Sequence, residues 1–409
     1  MSASTQVWKI STICWKTWSN RSPQLFNEPI VCRNGNVSQT RHDFVVIGGG
    51  IVGASIAEGL ARRGKEVAIL DEGDVAIRAA RGNLGNVWVQ GKGVGKPEYA
   101  DLTRQAGLDW KALAQRLQQQ TGIDLHYRNP GAVFLCFSEA ELEKRATAMA
   151  KAETGTSVAS PYEMLDQQAL KEIFPMIGSD VVGGSFSSAD GTANPLFLLR
   201  ALIKSACNHG ATYQANHGVS QISHAGDGFI LETKNGTISA GHIVLCAGLG
   251  NAKLSPQLGM YGGVCPVRGQ IMVTERLNPF LPYGTNFIRQ TFEGGCLMGE
   301  SSEEAGFDEG TTTDILRSTA DKAIRAFPHL KHARIVRAWS ALRIMTADGV
   351  PVYQLKGFGP DQRSKAAVVS VHSGVSLAPF HCESLAEQIA DHALLPDVAN
   401  AFNAERFNV

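Results

Sequence analysis

Hydrophobic and polar positions fall into a regular order from residue 43 onward. Phe44-Val45-Val46-Ile47 is an unbroken apolar run, as expected of a buried strand, and Gly48-Gly49-Gly50 follows it. Val52, Ile56 and Leu60 then recur at i, i+4 and i+8, one stripe of a helix. Gly64 stands where a left-handed residue closes such a helix, and Val67–Leu70 is the next apolar run. Amphipathic spacing predicts helices over 102–120, 140–153 and 196–209, and a closing helix over 384–392. Strands are predicted over 132–137, 243–246, 270–274 and 367–371, with a pair inside 217–233 turning at Gly226-Asp227-Gly228. Another hairpin is expected from 342–346 to 350–354, turning at Asp348-Gly349. Helices alternating with strands at both ends indicate an α/β protein with a largely parallel sheet. The strand-rich stretch 255–335 indicates a second layer inserted into it.

Composition narrows the function classes. The chain has 409 residues, room for roughly two to three folded units at about 100–200 residues each. Lys+Arg 38 balances Asp+Glu 38, so no overall positive field gathers nucleic acid. No apolar run approaches the roughly 18 residues of a membrane-spanning helix. The eight cysteines form no CxxC pair and have no histidine at metal spacing, so no metal site is expected. Cys136, Cys246 and Cys296 lie in apolar strand-like runs and read as small buried hydrophobes. Residues 1–42 differ from the rest: Trp8, Trp15 and Trp18 stand among hydroxyl, amide and basic residues, with Glu28 as the only acid. They lack the apolar core of a secretory signal. Three readings stay open, an organellar-type presequence, a loosely ordered extension and a misassigned start, and folded structure is expected to begin near Asp43.

The first strand, turn and helix carry a chemical signature. Gly48-Gly49-Gly50-Ile51-Val52-Gly53 is a GxGxxG, and Asp71 ends the following strand 18 residues after Gly53. Gly48 permits the tight turn, Gly50 lets backbone approach a pyrophosphate, and Gly53 lets helix and strand pack closely. The helix N-terminus offers unpaired N–H groups to the phosphates, and Asp71 can accept from both ribose hydroxyls. Strand, turn, helix, strand and acid in this order predict a bound dinucleotide. Two later segments favour FAD over NAD. The strand ending at Ala247-Gly248 can bring backbone alongside a cofactor lying across the first strand. The segment from Val368 to Pro379 is a strand, a glycine turn and a helix start near Ser376, which could face charge developing on a reduced flavin.

These pieces together resemble the amino-acid oxidase superfamily of FAD enzymes, which includes glycine oxidase, sarcosine oxidase and D-amino-acid dehydrogenase. Asp190-Gly191 with Asn194-Pro195, Pro266-Val267-Arg268-Gly269-Gln270, and Trp339-Ser340-Ala341-Leu342-Arg343 before Asp348-Gly349 also match. The run Arg81-Gly82-Asn83-Leu84-Gly85-Asn86-Val87-Trp88 is most similar to flavoprotein subunits of D-hydroxyproline- or opine-type dehydrogenases. The resemblance implies a Rossmann-like FAD-binding domain over 43–90, 180–250 and 335–395. An antiparallel-sheet-rich substrate domain is implied over 91–179 and 251–334. It implies that Gly48, Gly50, Ile51 and Gly53 hold the pyrophosphate, and Asp71 with Glu72 the adenosine ribose. Arg81, Gly82 and Asn83 would run beside pyrophosphate and flavin, and Val219 would pair with adenine through its backbone. His372, Ser373, Gly374, Val375, Ser376 and Leu377 would contact the isoalloxazine and ribityl chain. Arg343 matches the arginine that receives a substrate carboxylate, while Arg268 fits a structural or a substrate-facing role equally.

The implied reaction is oxidation of the C–N bond of a small amino or imino acid, with hydride passing to flavin N5 and an imine as product. Arg343 and His372 are the candidate catalytic residues. The approach to Thr346 is Ala341-Leu342-Arg343-Ile344-Met345, without the cysteine by which sarcosine oxidases bind their flavin covalently, so FAD is expected to be non-covalent. The electron acceptor would be oxygen, a quinone or a partner redox subunit, the last making a hetero-oligomer. The expected location is cytoplasmic, or peripheral at a membrane through the acceptor. Two alternatives share the fold: a 2-hydroxy-acid or glycerol-phosphate dehydrogenase, and a flavin-bearing subunit of a multi-subunit dye-linked dehydrogenase.

Overall fold

The computed structural model describes residues 41–73, 79–359 and 363–408, leaving the extension before Arg41 and the side chain of Arg81 outside. Its centre is a parallel sheet. Strand β1 (Arg41–Ile47) lies between β2 (Val67–Leu70) and β11 (Gly236–Leu245), parallel to both. Beyond β2 comes β8 (Thr212–Gln214), and beyond β11 comes β18 (Ser364–Ser370), again parallel. Val45, Val46, Ala68, Ile69, Val244 and Leu245 are all at 0–1 % exposure on these strands. Continuous apolar runs are what a sheet covered on both faces requires. Two antiparallel additions complete it. The hairpin β9 (Val219–Ala225) and β10 (Gly228–Thr233) pairs with β11, and β17 (Val352–Gly357) pairs with β18.

The helix Ile51–Arg62 follows β1 and packs against the helical stretch Ala378–Ala390. Contact is close at Gly59, where an added Cβ would stand 2.1 Å from the Cys382 carbonyl oxygen. That stretch opens into a π-turn over His381–Leu385, begins a little earlier than the predicted 384–392 and covers most of it; the short helix Pro396–Phe402 follows. The other predicted helices are present as Pro97–Thr121, Glu139–Ala152 and Pro195–Asn208.

Two further sheets form the second layer. One contains β13 (Gly284–Thr285), β4 (Ala132–Cys136), β6 (Gly183–Ser187) and β5 (Tyr162–Asp166), in that order. The other, the substrate sheet, runs β14 (Ile288–Gln290), β15 (Gly295–Met298), β12 (Cys265–Arg276), β16 (Ile335–Met345). A small ladder of β3 (Asn86–Val87) and β7 (Gly191–Thr192) ties the layers together.

One expectation is corrected. The segments 342–346 and 350–354 do not form a hairpin, because β16 pairs with β12 and β17 with β18. The Asp348-Gly349 turn is present, with Gly349 at φ +73, but it carries the chain from one sheet to the other. Val352 and Tyr353, at 0 % and 1 % exposure, are claimed by the core of the large sheet, and that burial outweighs local pairing.

Candidate active site

The glycine turn has the three environments its motif demands. Gly48 has φ +105, and a Cβ there would stand 2.4 Å from the Cys246 carbonyl oxygen. A Cβ on Gly53 would stand 1.9 Å from the oxygen of Gly48, so helix and strand touch backbone to backbone. Gly50 differs, because a Cβ there meets nothing within 4 Å. It opens onto space at the start of the helix Ile51–Arg62, whose N-terminus has no side-chain cap and no acid in its first turn. An uncapped helix end above an unfilled glycine cradle fits a diphosphate. Asp71 is buried at the end of β2, where its carboxylate accepts from Gly49 N at 2.7 Å and Gly73 N at 2.8 Å. Gly218, beside Val219, packs on Glu72, with a built Cβ 3.0 Å from that of Glu72. The predicted ribose and adenine contacts are therefore neighbours.

The turn after β18 is held from several sides. Trp110 Nε1 donates to the carbonyls of Val375 and Ser376, at 3.1 and 3.2 Å. Ser376 Oγ accepts from Trp88 N at 3.0 Å. Ser373 Oγ accepts from Lys92 Nζ at 2.8 Å and shares a hydrogen bond with Tyr99 Oη at 3.0 Å. Gly374 packs on Val52, and Leu377 N bonds back to Ser373 O. Gly248 stands against Ile344, next to Arg343.

One face of the substrate sheet looks toward this turn. Residues directly opposite in antiparallel pairs share a face. The registers Val267↔Arg343, Gly269↔Ala341, Ile271↔Trp339, Val273↔Leu297 and Leu297↔Arg289 therefore define a single surface. The run Gly82–Asn86 crosses it. A Cβ on Gly82 would come within 2.0 Å of the Ala341 side chain, and Leu84, like Trp339, packs against the cluster of Ile271, Val273 and Leu297. Asn83 Oδ1 accepts from Gly85 N at 2.6 Å, which holds the run in its bend. At one end of this surface is Arg343, half-buried. Its Nη1 donates to the Ser301 carbonyl at 2.7 Å, and it has no ion-pair partner among the described residues. Burial pulls its pKa down, while the charges of Glu303 and Glu300 raise it. His372 lies within electrostatic reach: burial pushes its imidazole down to about 3, and the charges of Lys92 and Arg343 act in the same direction. A neutral imidazole and a guanidinium without an ion-pair partner among the described residues thus lie within electrostatic reach of one another.

The sequence profile of the family described as FAD dependent oxidoreductase matches residues 43–388. The chain belongs to this family. An opine oxidase subunit of Agrobacterium tumefaciens (strain Ach5) is 40 % identical over 370 residues, covering 90 % of this chain and 98 % of that protein. Glycine oxidase of Bacillus subtilis (strain 168) is 25 % identical over 372 residues, covering 89 % of this chain and 97 % of its own length. The crystal structure of glycine oxidase from Geobacillus kaustophilus superposes with a TM-score of 0.80 at 25 % identity, over 89 % of this chain and 98 % of that one. The chain is a FAD-dependent oxidoreductase with the mixed α/β fold of glycine oxidase.

Several of the anticipated residues are neighbours in the structure. Gly48, Gly50, Ile51 and Gly53 form the glycine turn and helix start, Asp71 accepts from Gly49 N, and Glu72 lies beside Gly218-Val219. Ala247 stands against Gly48 and Gly374 against Val52, while Gly248 meets Ile344 and Gly82 meets Ala341. Arg268, left open by the sequence, is ion-paired with Glu303 and Asp308 at 2.8 and 2.5 Å and sits on the far face of the sheet from Arg343. Sequence reasoning missed Lys92, Tyr99, Trp110 and Arg289. Lys92 had a legible signal, the alternating Gly91-Lys92-Gly93-Val94-Gly95, whose glycines all have positive φ. The others look in sequence like ordinary helix or strand residues. No group of three or more His, Cys, Asp or Glu among the described residues could hold a metal.

Proposed function

We propose that this flavoenzyme oxidises the C–N bond of an amino or imino acid whose carboxylate is received by Arg343. The observation that carries the reading is the state of that guanidinium. It is sequestered on a sheet face beside the flavin-side turn, and one backbone carbonyl takes one of its donors. The planar fork is thereby left for a carboxylate. FAD, held non-covalently by the glycine turn and the segments at Asp71, Gly82 and Gly374, supplies a two-electron acceptor when bound. What the chain contributes is position and dryness. Arg343 holds the acid end, and the strand β16 keeps it rigid. His372, held neutral by burial, is too weak a base to take a proton from an ammonium; it can accept a hydrogen bond from the N–H of a substrate amine that binds as the free base. Lys92 and Tyr99 brace Ser373 and so fix the turn that bears His372.

Similarity to a protein named as one subunit of an opine oxidase favours secondary-amine substrates of the opine type and an assembly with other subunits. No helix of the described residues is long and apolar enough to cross a membrane. The test is a substrate screen of the flavin-loaded protein with amino acids, imino acids, opines and 2-hydroxy acids, using a dye and oxygen as acceptors. Turnover of amines with an imine-derived carbonyl product supports the reading. Turnover confined to 2-hydroxy acids or glycerol phosphate overturns it.

A further inference from the structure

Arg343 shares its sheet face with a second arginine that lacks an acid partner among the described residues. Arg289, on β14, joins that face through Leu297 and Val273. Its residue exposure is 8 %, its Nε has no hydrogen-bond partner, and no hydrogen bond or ion pair links any of its nitrogens to a described residue. Burial lowers its pKa to about 10, and Glu293 supplies only a remote compensating charge. A buried cation with no partner is costly, and folds remove such groups unless something answers them. The surroundings are shaped for an answer. Nη2 of Arg289 lies 2.7 Å from where a Cβ on Gly85 would be, and Gly284 lies against its stem. Asn86 Oδ1, in the same run, is likewise buried and unpartnered, while its Nδ2 donates to Thr285 O at 3.0 Å.

The position relative to Arg343 gives the ligand its class. Gly82 touches Ala341, the same-face neighbour two residues from Arg343, and Gly85 touches Arg289. Three residues of chain span at most about 10 Å, so the short run Gly82–Gly85 links the neighbourhood of Arg343 to that of Arg289 along one sheet face. Building on the amine-oxidation reading, we propose that Arg289 binds a second carboxylate of the substrate. The preferred substrate is then an amine carrying acid groups on both sides of its nitrogen. Arg343 would fix the acid near the reacting carbon and Arg289 the distal one. Arg289 is a specificity residue: it selects diacids over simple amino acids and leaves the electron transfer to the common machinery.

The experiment uses the flavin-loaded enzyme and its Arg289→Met and Arg289→Lys variants. Two dicarboxylates that lack an amine, 2,2′-oxydiacetate and glutarate, serve as non-reacting probes beside the monocarboxylate methoxyacetate. In the wild type the dicarboxylates should raise the Tm and compete with substrate, and Arg289→Met should weaken their binding by about tenfold or more. The ratio of kcat/KM for N-(carboxyalkyl)amino acids over sarcosine or proline should fall by a similar factor, with partial recovery in Arg289→Lys. Without ligand, Arg289→Met should melt no lower than the wild type, since it loses an unpaired buried charge. Three outcomes overturn the proposal: dicarboxylates that bind the wild type no better than methoxyacetate, a lowered melt with unchanged ligand preference, or a changed flavin spectrum and sulfite affinity with that preference intact. If Arg343→Ala also leaves acid binding untouched, the amine-oxidation reading fails with it. If Arg343→Ala abolishes binding and Arg289→Met does not matter, only the second site fails.

Discussion

The two faces of the substrate sheet treat arginine in opposite ways. On the face turned toward the helix Thr313–Ala326, Met272, Ile288, Cys296 and Met298 are packed into a core, and Arg268 at its end is clamped by Glu303 and Asp308. On the face turned toward the cofactor channel, the apolar cluster is small, and Arg343 and Arg289 have no acid within ion-pair distance among the described residues. Pairing makes a cation part of the architecture; lack of a partner, in a comparable enclosure, is what supports the proposed reading of Arg343 and Arg289 as receptors for an anion. Residue type does not separate the two roles. The position of acids around each guanidinium does.

Breaking the receptor face should have the largest effect. Arg343→Ala is expected to cost about 2–5 kcal/mol in kcat/KM, with flavin content and Tm near wild type, and Arg343→Lys should recover part of the loss. Steady-state kinetics beside a thermal melt checks it, and a lowered Tm with little kinetic change would move Arg343 to the structural class. The mirror experiment is Arg268→Ala, which leaves Glu303 and Asp308 without their cation. Here the melt should fall while kcat/KM per flavin-loaded molecule stays close to wild type, and a selective rise in KM would erase the contrast between the faces.

The cationic face also sets a pH dependence. His372 has a folded pKa of about 3 against about 6.5 for a free imidazole, so the unfolded chain binds the extra proton first. Its contribution to stability is full above about pH 6.5 and is lost as pH falls toward 3, by about 1.4 kcal/mol per pH unit within that window. Urea melts of the wild type and His372→Gln should therefore diverge below about pH 6, the wild type falling more steeply; parallel curves would mean that the ring is not held neutral. The smallest effect belongs to Glu303→Gln. Its charge supports Arg268 on one face and reaches Arg343 through the sheet. Removing it should lower the Tm yet also lower KM slightly, by a few tenths of a kcal/mol at surface-like screening, because a substrate carboxylate no longer meets a like charge. An unchanged KM would show that the faces are electrically separate.

Much of the nucleotide end was legible in the sequence, because a glycine motif states its backbone geometry directly. Gly48, Gly50 and Gly53 each meet the environment their spacing implies, and Asp71 lies at the expected strand end. The substrate end was legible in part. Arg343 was singled out through resemblance to a family motif, but its strand partner was misjudged, since a tight turn alone does not say whether the chain folds back or crosses to another sheet. Arg289 had no local signal. Ile288-Arg289-Gln290 looks like an edge strand with polar positions facing water, and its enclosure depends on Gly85, about 200 residues earlier in the chain.

The crossing from β16 to β17 has a mechanical consequence. Its turn is braced by Thr346 Oγ1 donating to Val350 O at 2.8 Å, Val350 N to Asp348 Oδ1 at 3.1 Å, and Arg406 Nη2 to the carbonyls of Val350 and Pro351 at 3.0 and 2.9 Å. Arg343 is thus bolted to the sheet that carries the cofactor, like the fixed jaw of a caliper. The other jaw, at β14, hangs from the sheet's outer edge, away from that bolt. Changes in accepted substrate length can then be made by moving the outer jaw alone, while the gap between the anchored carbon and the flavin stays as it was set.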